Sequence, residues 1–291
     1  MHDIMTSPPP PDFEIRIRPN QSWLRIDLRG LWEFRDLLVL LVRRDFVARY
    51  QQTALGPAWA ILQPLVMTLV FTVVFSKFAG ISTNGLPPIL FYLCGLLAWN
   101  YHAQTFQLSA GTFTTNAELF GKVYFPRLVV PFAIVLSNLI AFAIEAAIFA
   151  LFWCYYKFFT PAGAQFGTDA RVFLAPLLLV QIAAVSAGSG LIVASCTAKY
   201  RDLRHALPLI VQVWLYLTPV IYPLAKVPAR WQWALAFNPL ALPVEAMRWS
   251  LLGRGEIHSA QYLCSLGMTA LLFFGGVMIF QRTERTFIDT V

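Results

Sequence analysis

The stretch RRDFVARYQQTALGPAWAILQP, residues 43–64, sets Arg43, Arg44, Asp45 and Arg49 within seven residues and then carries no charge at all. Lys and Arg accumulate in the cytoplasmic flanks of membrane helices, so this pattern reads as a helix entering a bilayer from its cytoplasmic face. On the N-terminal side, residues 31–50 mix Leu31, Trp32, Phe34, Leu37, Leu38, Leu41 and Phe46 with Glu33, Arg35, Asp36 and the basic cluster. That mixture predicts an amphipathic helix over about 31–55, lying in the interface plane. Its polar face has two readings, a plain membrane anchor or a docking surface for another protein. Gly56-Pro57 ends it, with proline suited to the first turn of the next helix.

The whole chain follows the same logic. It has 291 residues, 58% hydrophobic and 13% charged, whereas soluble domains carry about 25% charged residues. Too little charge remains to cover a water-facing surface, so much of that surface must face lipid. No Asp, Glu, Lys or Arg occurs over 78–117, 172–198 or 257–281, and each gap can hold the roughly 20 apolar residues of a spanning helix. The net charge of +7 does not point to nucleic acid, because the basic residues sit in short segments between apolar runs. Cys94, Cys154, Cys196 and Cys264 lie in or beside apolar stretches without CxxC spacing; they read as small core residues rather than disulfides or metal ligands. The N-terminus has no apolar signal-like segment, and its proline run predicts an extended tail.

The expected fold is all-α, a polytopic membrane protein with six transmembrane helices near 58–77, 87–109, 128–156, 172–198, 206–224 and 261–280. The expected organisation is a cytoplasmic tail over 1–30, the interface helix over 31–56, a six-span domain over 57–281 and a cytoplasmic tail over 282–291. Of 22 Lys and Arg residues, 15 fall on the side that holds the opening cluster, which predicts both termini to be cytoplasmic. Residues 227–255, VPARWQWALAFNPLALPVEAMRWSLLGRG, are broken by Asn238-Pro239 and Pro243. The pieces are too short to cross, and Trp231, Trp233 and Trp249 favour the headgroup zone; two short helices dipping into the outer leaflet are expected.

The runs RDFVARYQQTALGPAWAILQP (44–64) and FTVVFSKFAG (71–80), GKVYFPRLVVP (121–131) and FNPLALPVEAMRWSLLG (237–253) resemble the membrane subunit of ABC-2 type exporters. The nearest branch exports O-antigen, capsule or teichoic-acid polysaccharides. The resemblance covers about residues 15–282. It implies six membrane helices, re-entrant helices before the last span, and a homodimer with the pathway between subunits. It also implies two copies of a separate ABC ATPase and location in a bacterial inner membrane. The sequence agrees in lacking a GxxxxGK[ST] phosphate loop: its one Gly-Lys pair, Gly121-Lys122, is followed by valine, so no cofactor is expected in this chain, and ATP and Mg are expected in the ATPase partner. Three charged segments could seat that partner: Arg43, Arg44, Asp45 and Arg49; Glu118, Lys122 and Tyr124; and Lys199, Tyr200, Arg201, Asp202 and Arg204. The resemblance assigns the second and third to coupling. Sidedness alone explains any single arginine equally well.

The second expected span sets Asn100, Gln104 and Gln107 at i, i+4 and i+7, beside a stripe of Trp99, His102 and Phe106. Amides exchange hydrogen bonds with sugar hydroxyls, and flat rings cover sugar C–H faces. With Gln212 and Tyr216 of the fifth span these are candidate pathway residues. Interhelical hydrogen bonds and core packing are the competing reading, and the sequence does not choose between them. Phe71, Phe75 and Phe78 read as packing or lipid contact. Glu145 is the single acid in mid-span, with Asn138 two turns before it on the same face. Small residues Ala184, Gly188, Ser186 and Gly190, spaced by four, predict close helix packing. Trp231, Glu245 and Arg248 mark the exit region; Glu245 and Arg248 are spaced to pair, with phosphate or acidic sugar as the alternative partner for Arg248.

Three function classes compete. The first is the membrane subunit of an ATP-driven exporter of a lipid-linked polysaccharide, with a lipid or drug as the alternative cargo. A membrane glycosyl- or acyltransferase needs clustered acids or a partnered histidine, yet there is no DxD, and His2, His102, His205 and His258 are scattered. An ion-coupled transporter is disfavoured by the isolation of Glu145.

Overall fold

The computed structural model describes residues 32–51, 53–123, 125–164, 166–167, 169–200, 202–255 and 257–287. The expected tail over 1–30 lies outside the described residues. Every regular element among those described is helical; lipid offers no partners to backbone N–H and C=O groups, and helices satisfy them internally.

Helix α1 (Arg35–Tyr50) lies where the interface helix is expected. It buries Leu41 and packs Phe34, Leu37 and Val42 onto a cluster built around Phe113, Val129 and Phe280. Trp32, Val39, Leu40 and Val47 stay exposed. The helix ends at Tyr50, short of the expected 55: Gln51 is already extended, and Gly56, at φ +53 in the left-handed region, redirects the chain after the helix has stopped. Pro57 then sits in the first turn of a short 3₁₀ segment, Gly56–Ala58, that feeds α2 (Trp59–Phe71) and a π-helical continuation, Thr72–Phe78.

Helix α3 (Pro88–Ala110) is the axle of the molecule, buried on nearly every face by α5, α6, α7 and α9. A short α4 (Ala117–Lys122) follows it. Next come α5 (Val129–Phe159), α6 (Ala175–Lys199), α7 (Leu203–Leu217), α8 (Ala229–Ala236), α9 (Ala241–Leu252) and α10 (Ser259–Phe287).

Four helical stretches among the described residues are long and apolar enough to cross a membrane: Gly56–Phe78, Val129–Phe159, Ala170–Lys199 and Ser259–Glu284. Two of the six expected spans differ. Helix α3 has 23 residues, about 34 Å at 1.5 Å per residue, which suffices in length; Asn100, His102, Gln104 and Gln107 lower its hydropathy. Helix α7 has only 15 residues and stops short of the expected 224. Its break has a local cause: Pro219 disfavours the helical region for the residue before it, and Thr218 is extended at φ −104, ψ 140. Helix α10 overruns its expected end at 280 by continuing to Phe287, so most of the expected C-terminal tail is helical.

Small residues set the closest crossings. A Cβ on Gly188 would lie 2.5 Å from the Leu272 carbonyl oxygen, and one on Gly276 would collide with the Gly188 carbonyl, so α6 and α10 touch backbone to backbone. Gly190 likewise admits Ser109 of α3, whose Cβ would be 2.6 Å from an added one. The spacing read in the sequence is thus a packing device.

Helices α8 and α9 divide at Asn238-Pro239, as expected, whereas Pro243, also read as a breaker, sits inside the first turn of α9, where its missing N–H costs no hydrogen bond. Gly253, at φ +69, caps α9, its N–H donating to the Trp249 carbonyl.

Candidate functional site

Three hydrogen bonds gather the charged segments at one end of the bundle. Thr197 Oγ1 donates to the Ala110 carbonyl at 3.0 Å, placing the α6 end beside the α3 end. Arg127 Nη1 donates to the Glu284 carbonyl at 3.2 Å, tying the start of α5 to the last turns of α10. Arg44 Nη2 reaches Asn116 Oδ1 at 3.5 Å, setting α1 beside α4. Arg127 is itself buried, its guanidinium 5.1 Å from the Phe120 ring centre; burial lowers its pKa, and the Glu284 carboxylate opposes that shift.

Most coupling candidates present themselves on this end. Arg43 and Arg44 are exposed, with Arg44 held 2.8 Å from Asp45. Glu118 and Lys122 form an exposed i, i+4 pair at 3.5 Å. Tyr200 is exposed beneath the Lys199 ammonium, 5.3 Å from its ring centre, and Asp202 is exposed. Tyr124 and Arg201 lie outside the described residues.

Arg49 does something different. From the last turn of α1 it points into the bundle, Nη1 donating to Gln104 Oε1 at 3.0 Å and Nη2 to Asn138 Oδ1 at 2.8 Å. Asn138 in turn donates to Thr105 Oγ1 at 3.0 Å. One turn along α3, Asn100 Nδ2 donates to Glu145 Oε2 at 3.1 Å. Asn138 and Glu145 share the α5 face turned toward α3, as their spacing predicts. Between these groups lies a cavity of about 210 Å³, lined by Arg49, Trp59, Gln63, Asn100, Gln104 and Glu145. The sequence paired Asn100 with Gln104 but did not bring Arg49 to them. Nothing in a local pattern could, since the partners are 55 and 89 residues away.

The other pathway candidates divide into two groups. Trp99, His102 and Phe106 are buried inside the chain's own core. His102 Nδ1 lies 2.8 Å from Ser186 Oγ, and its ring meets Trp214 edge-on at 4.6 Å. They hold α3 to α6 and α7. Gln107 is half-buried, while Gln212 and Tyr216 stand on the open face of α7.

At the opposite end, Arg248 and Glu245 pair at 2.6 Å, both almost wholly buried. Arg248 also donates to the Pro219 carbonyl at 2.9 Å and lies 3.8 Å from the Phe91 ring centre. Of the three exit candidates only Trp231 is exposed; the alternative partner for Arg248, phosphate or acidic sugar, has no access to it. Among the described residues no three His, Cys, Asp or Glu side chains converge on a metal-sized site.

The chain is 24% identical over 255 residues to the O-antigen export system permease protein RfbA of Klebsiella pneumoniae, covering 87% of this chain and 94% of that one. It is 26% identical over 269 residues to the RfbA permease of Myxococcus xanthus, covering 91% and 98%. It is 23% identical over 252 residues to the polysialic acid transport protein KpsM of Escherichia coli, covering 86% and 94%. The family model described as ABC-2 type transporter matches residues 36–252, from α1 to the end of α9, and the chain belongs to that family.

Proposed function

We propose that this chain is the membrane subunit of an ATP-driven exporter that carries a lipid-linked polysaccharide, of O-antigen, capsule or teichoic-acid type, out of the cytoplasm. The observation that carries the reading is the likeness to three proteins named for O-antigen export or polysialic acid transport, over 86–91% of this chain. The chain is a permease subunit and not itself the ATPase; ATP and Mg bind in a separate partner, two copies of which dock on the charged end through α1, α4 and the segment around Tyr200 and Asp202.

Six crossings complete the reading. Helix α3 crosses inside its neighbours, where its amides meet protein rather than lipid, and α7 crosses with the help of residues 218–223. Helices α8 and α9 form the re-entrant pair at the outer face. With 15 of 22 Lys and Arg residues read from the sequence as lying on the cytoplasmic side, both termini face the cytoplasm of an inner membrane. The open face of α7, with Leu209, Val213, Tyr216 and Gln212, is where a second copy closes the conduit. Deleting the gene should remove surface polysaccharide, with the polymer accumulating inside, and the wild-type gene should restore it. Normal surface polymer in the deletion strain would overturn the reading.

A further inference from the structure

The cavity between α1, α2, α3 and α5 is chemically two-sided. At one wall the Arg49 fork spends two of its five N–H donors on the amide oxygens of Gln104 and Asn138. Among the described residues no carboxylate approaches within 4.0 Å of it. At the other wall stands Glu145, a buried acceptor whose one described partner is the Asn100 amide. Gln63 and Trp59 line the cavity while remaining exposed.

Ionisable groups at this level of a membrane protein are costly to charge and face wet or ligand-filled space. Gln104 lies six residues from the end of α3 and Asn100 ten, so the cavity begins about 9–15 Å along the helix from its charged end. That is within reach of a phosphate carried at the headgroup level. An arginine fork suits phosphate oxygens. A carboxylate with amides suits hydroxyl donors, and a tryptophan ring suits the C–H face of a sugar. Free phosphate would use only the Arg49 wall, and an uncharged sugar only the Glu145 wall. At about 210 Å³, below the 300–1,000 Å³ typical of drug-sized pockets, the cavity admits one such head and not a polymer.

We propose that this cavity binds the phosphosugar head of a membrane glycolipid, with phosphate on Arg49 and sugar hydroxyls on Glu145, Asn100 and Gln63. The proposal rests on the export reading and assigns the place where that substrate's lipid-proximal end is held.

The test measures equilibrium binding to the full chain, with its ATPase partner, in lipid nanodiscs. Three probes are compared: a synthetic polyprenyl phosphohexose, the same polyprenyl phosphate without the hexose, and the bare polyprenol. The phosphohexose should bind tightest and the polyprenol at least about tenfold more weakly. Arg49→Gln should cost about tenfold or more for both phosphate probes. Glu145→Gln should weaken the phosphohexose alone, leaving the hexose-free phosphate unchanged. Should Arg49→Gln fail to fold by thermal melting, Gln63→Leu, on the exposed wall, takes its place and should narrow the phosphohexose preference. Equal binding of all three probes, or unchanged selectivity in every folded variant, overturns the proposal. Surface polymer scored in the deletion strain separates the two claims: polymer lost with unselective binding sinks the site alone, and selective binding with polymer retained sinks the export reading alone.

Discussion

Arg49 Nη2 donates to Asn138 Oδ1 at 2.8 Å, fastening the last turn of a surface helix to a residue ten positions into α5. Helix α1 is therefore bolted into the bundle at its last turn, where Arg49 joins it to both α3 and α5, in addition to the apolar packing of Leu41 on the start of α5. Asn138→Leu should remove a hydrogen bond to a charged group, a loss of about 1.5–3 kcal/mol, read as a lower melting temperature of the purified protein. Combining it with Arg49→Gln should cost less than the two single losses added together. Strict additivity would show that the two side chains do not interact.

Arg248 is the second fixed point. It joins α9 to the broken end of α7 and to the Phe91 ring while pairing with Glu245. Arg248→Met removes the cation that faces the buried Glu245 carboxylate and should destabilise by about 3–5 kcal/mol, seen as loss of monodisperse protein on extraction. The double replacement Arg248→Met with Glu245→Met should recover part of that loss. A single variant as stable as wild type would contradict the assigned pairing.

The contact of α6 with α10 predicts a contrast between glycines. Gly188→Val forces a side chain into the Leu272 backbone and should cost at least about 1–3 kcal/mol. Gly267→Ala, on the same helix pair with open space around it, should be neutral or slightly stabilising. Equal melting temperatures for the two variants would refute the close crossing.

Much of this architecture is legible in the sequence, and the exceptions have causes. The turn at Gly56-Pro57 and the division at Asn238-Pro239 follow from local stereochemistry, which a sequence records directly. The early stop of α7 also has a local cause, in Thr218-Pro219, but the apolar run continues past it to residue 224. Helix α3 is the opposite case. It is buried nearly all round, so no moment tells its two stripes apart; only the fold turns Trp99, His102 and Phe106 into the core and Asn100 and Gln104 toward Arg49. Arg49 belongs by sequence to the same basic cluster as Arg43 and Arg44, and only the fold turns it inward.

The exposed acids at the charged end separate coupling from stability. Glu118 pairs with Lys122 in solvent, a contact worth roughly 0.3–0.5 kcal/mol. Glu118→Lys should therefore leave melting unchanged, and so should Asp202→Lys. Both are expected to weaken ATPase docking or to separate ATP hydrolysis from export, measured as hydrolysis and polymer release in the same preparation. Full coupling in both variants would remove these segments from the docking surface.

The central claim is that this chain forms the conduit and borrows its motor. Proteoliposomes holding the purified chain alone, the ATPase alone, or both, loaded with a labelled lipid-linked polysaccharide, test it most directly. The account predicts ATP-dependent translocation only when both proteins are present. Translocation with ATP hydrolysis by the isolated chain would contradict it.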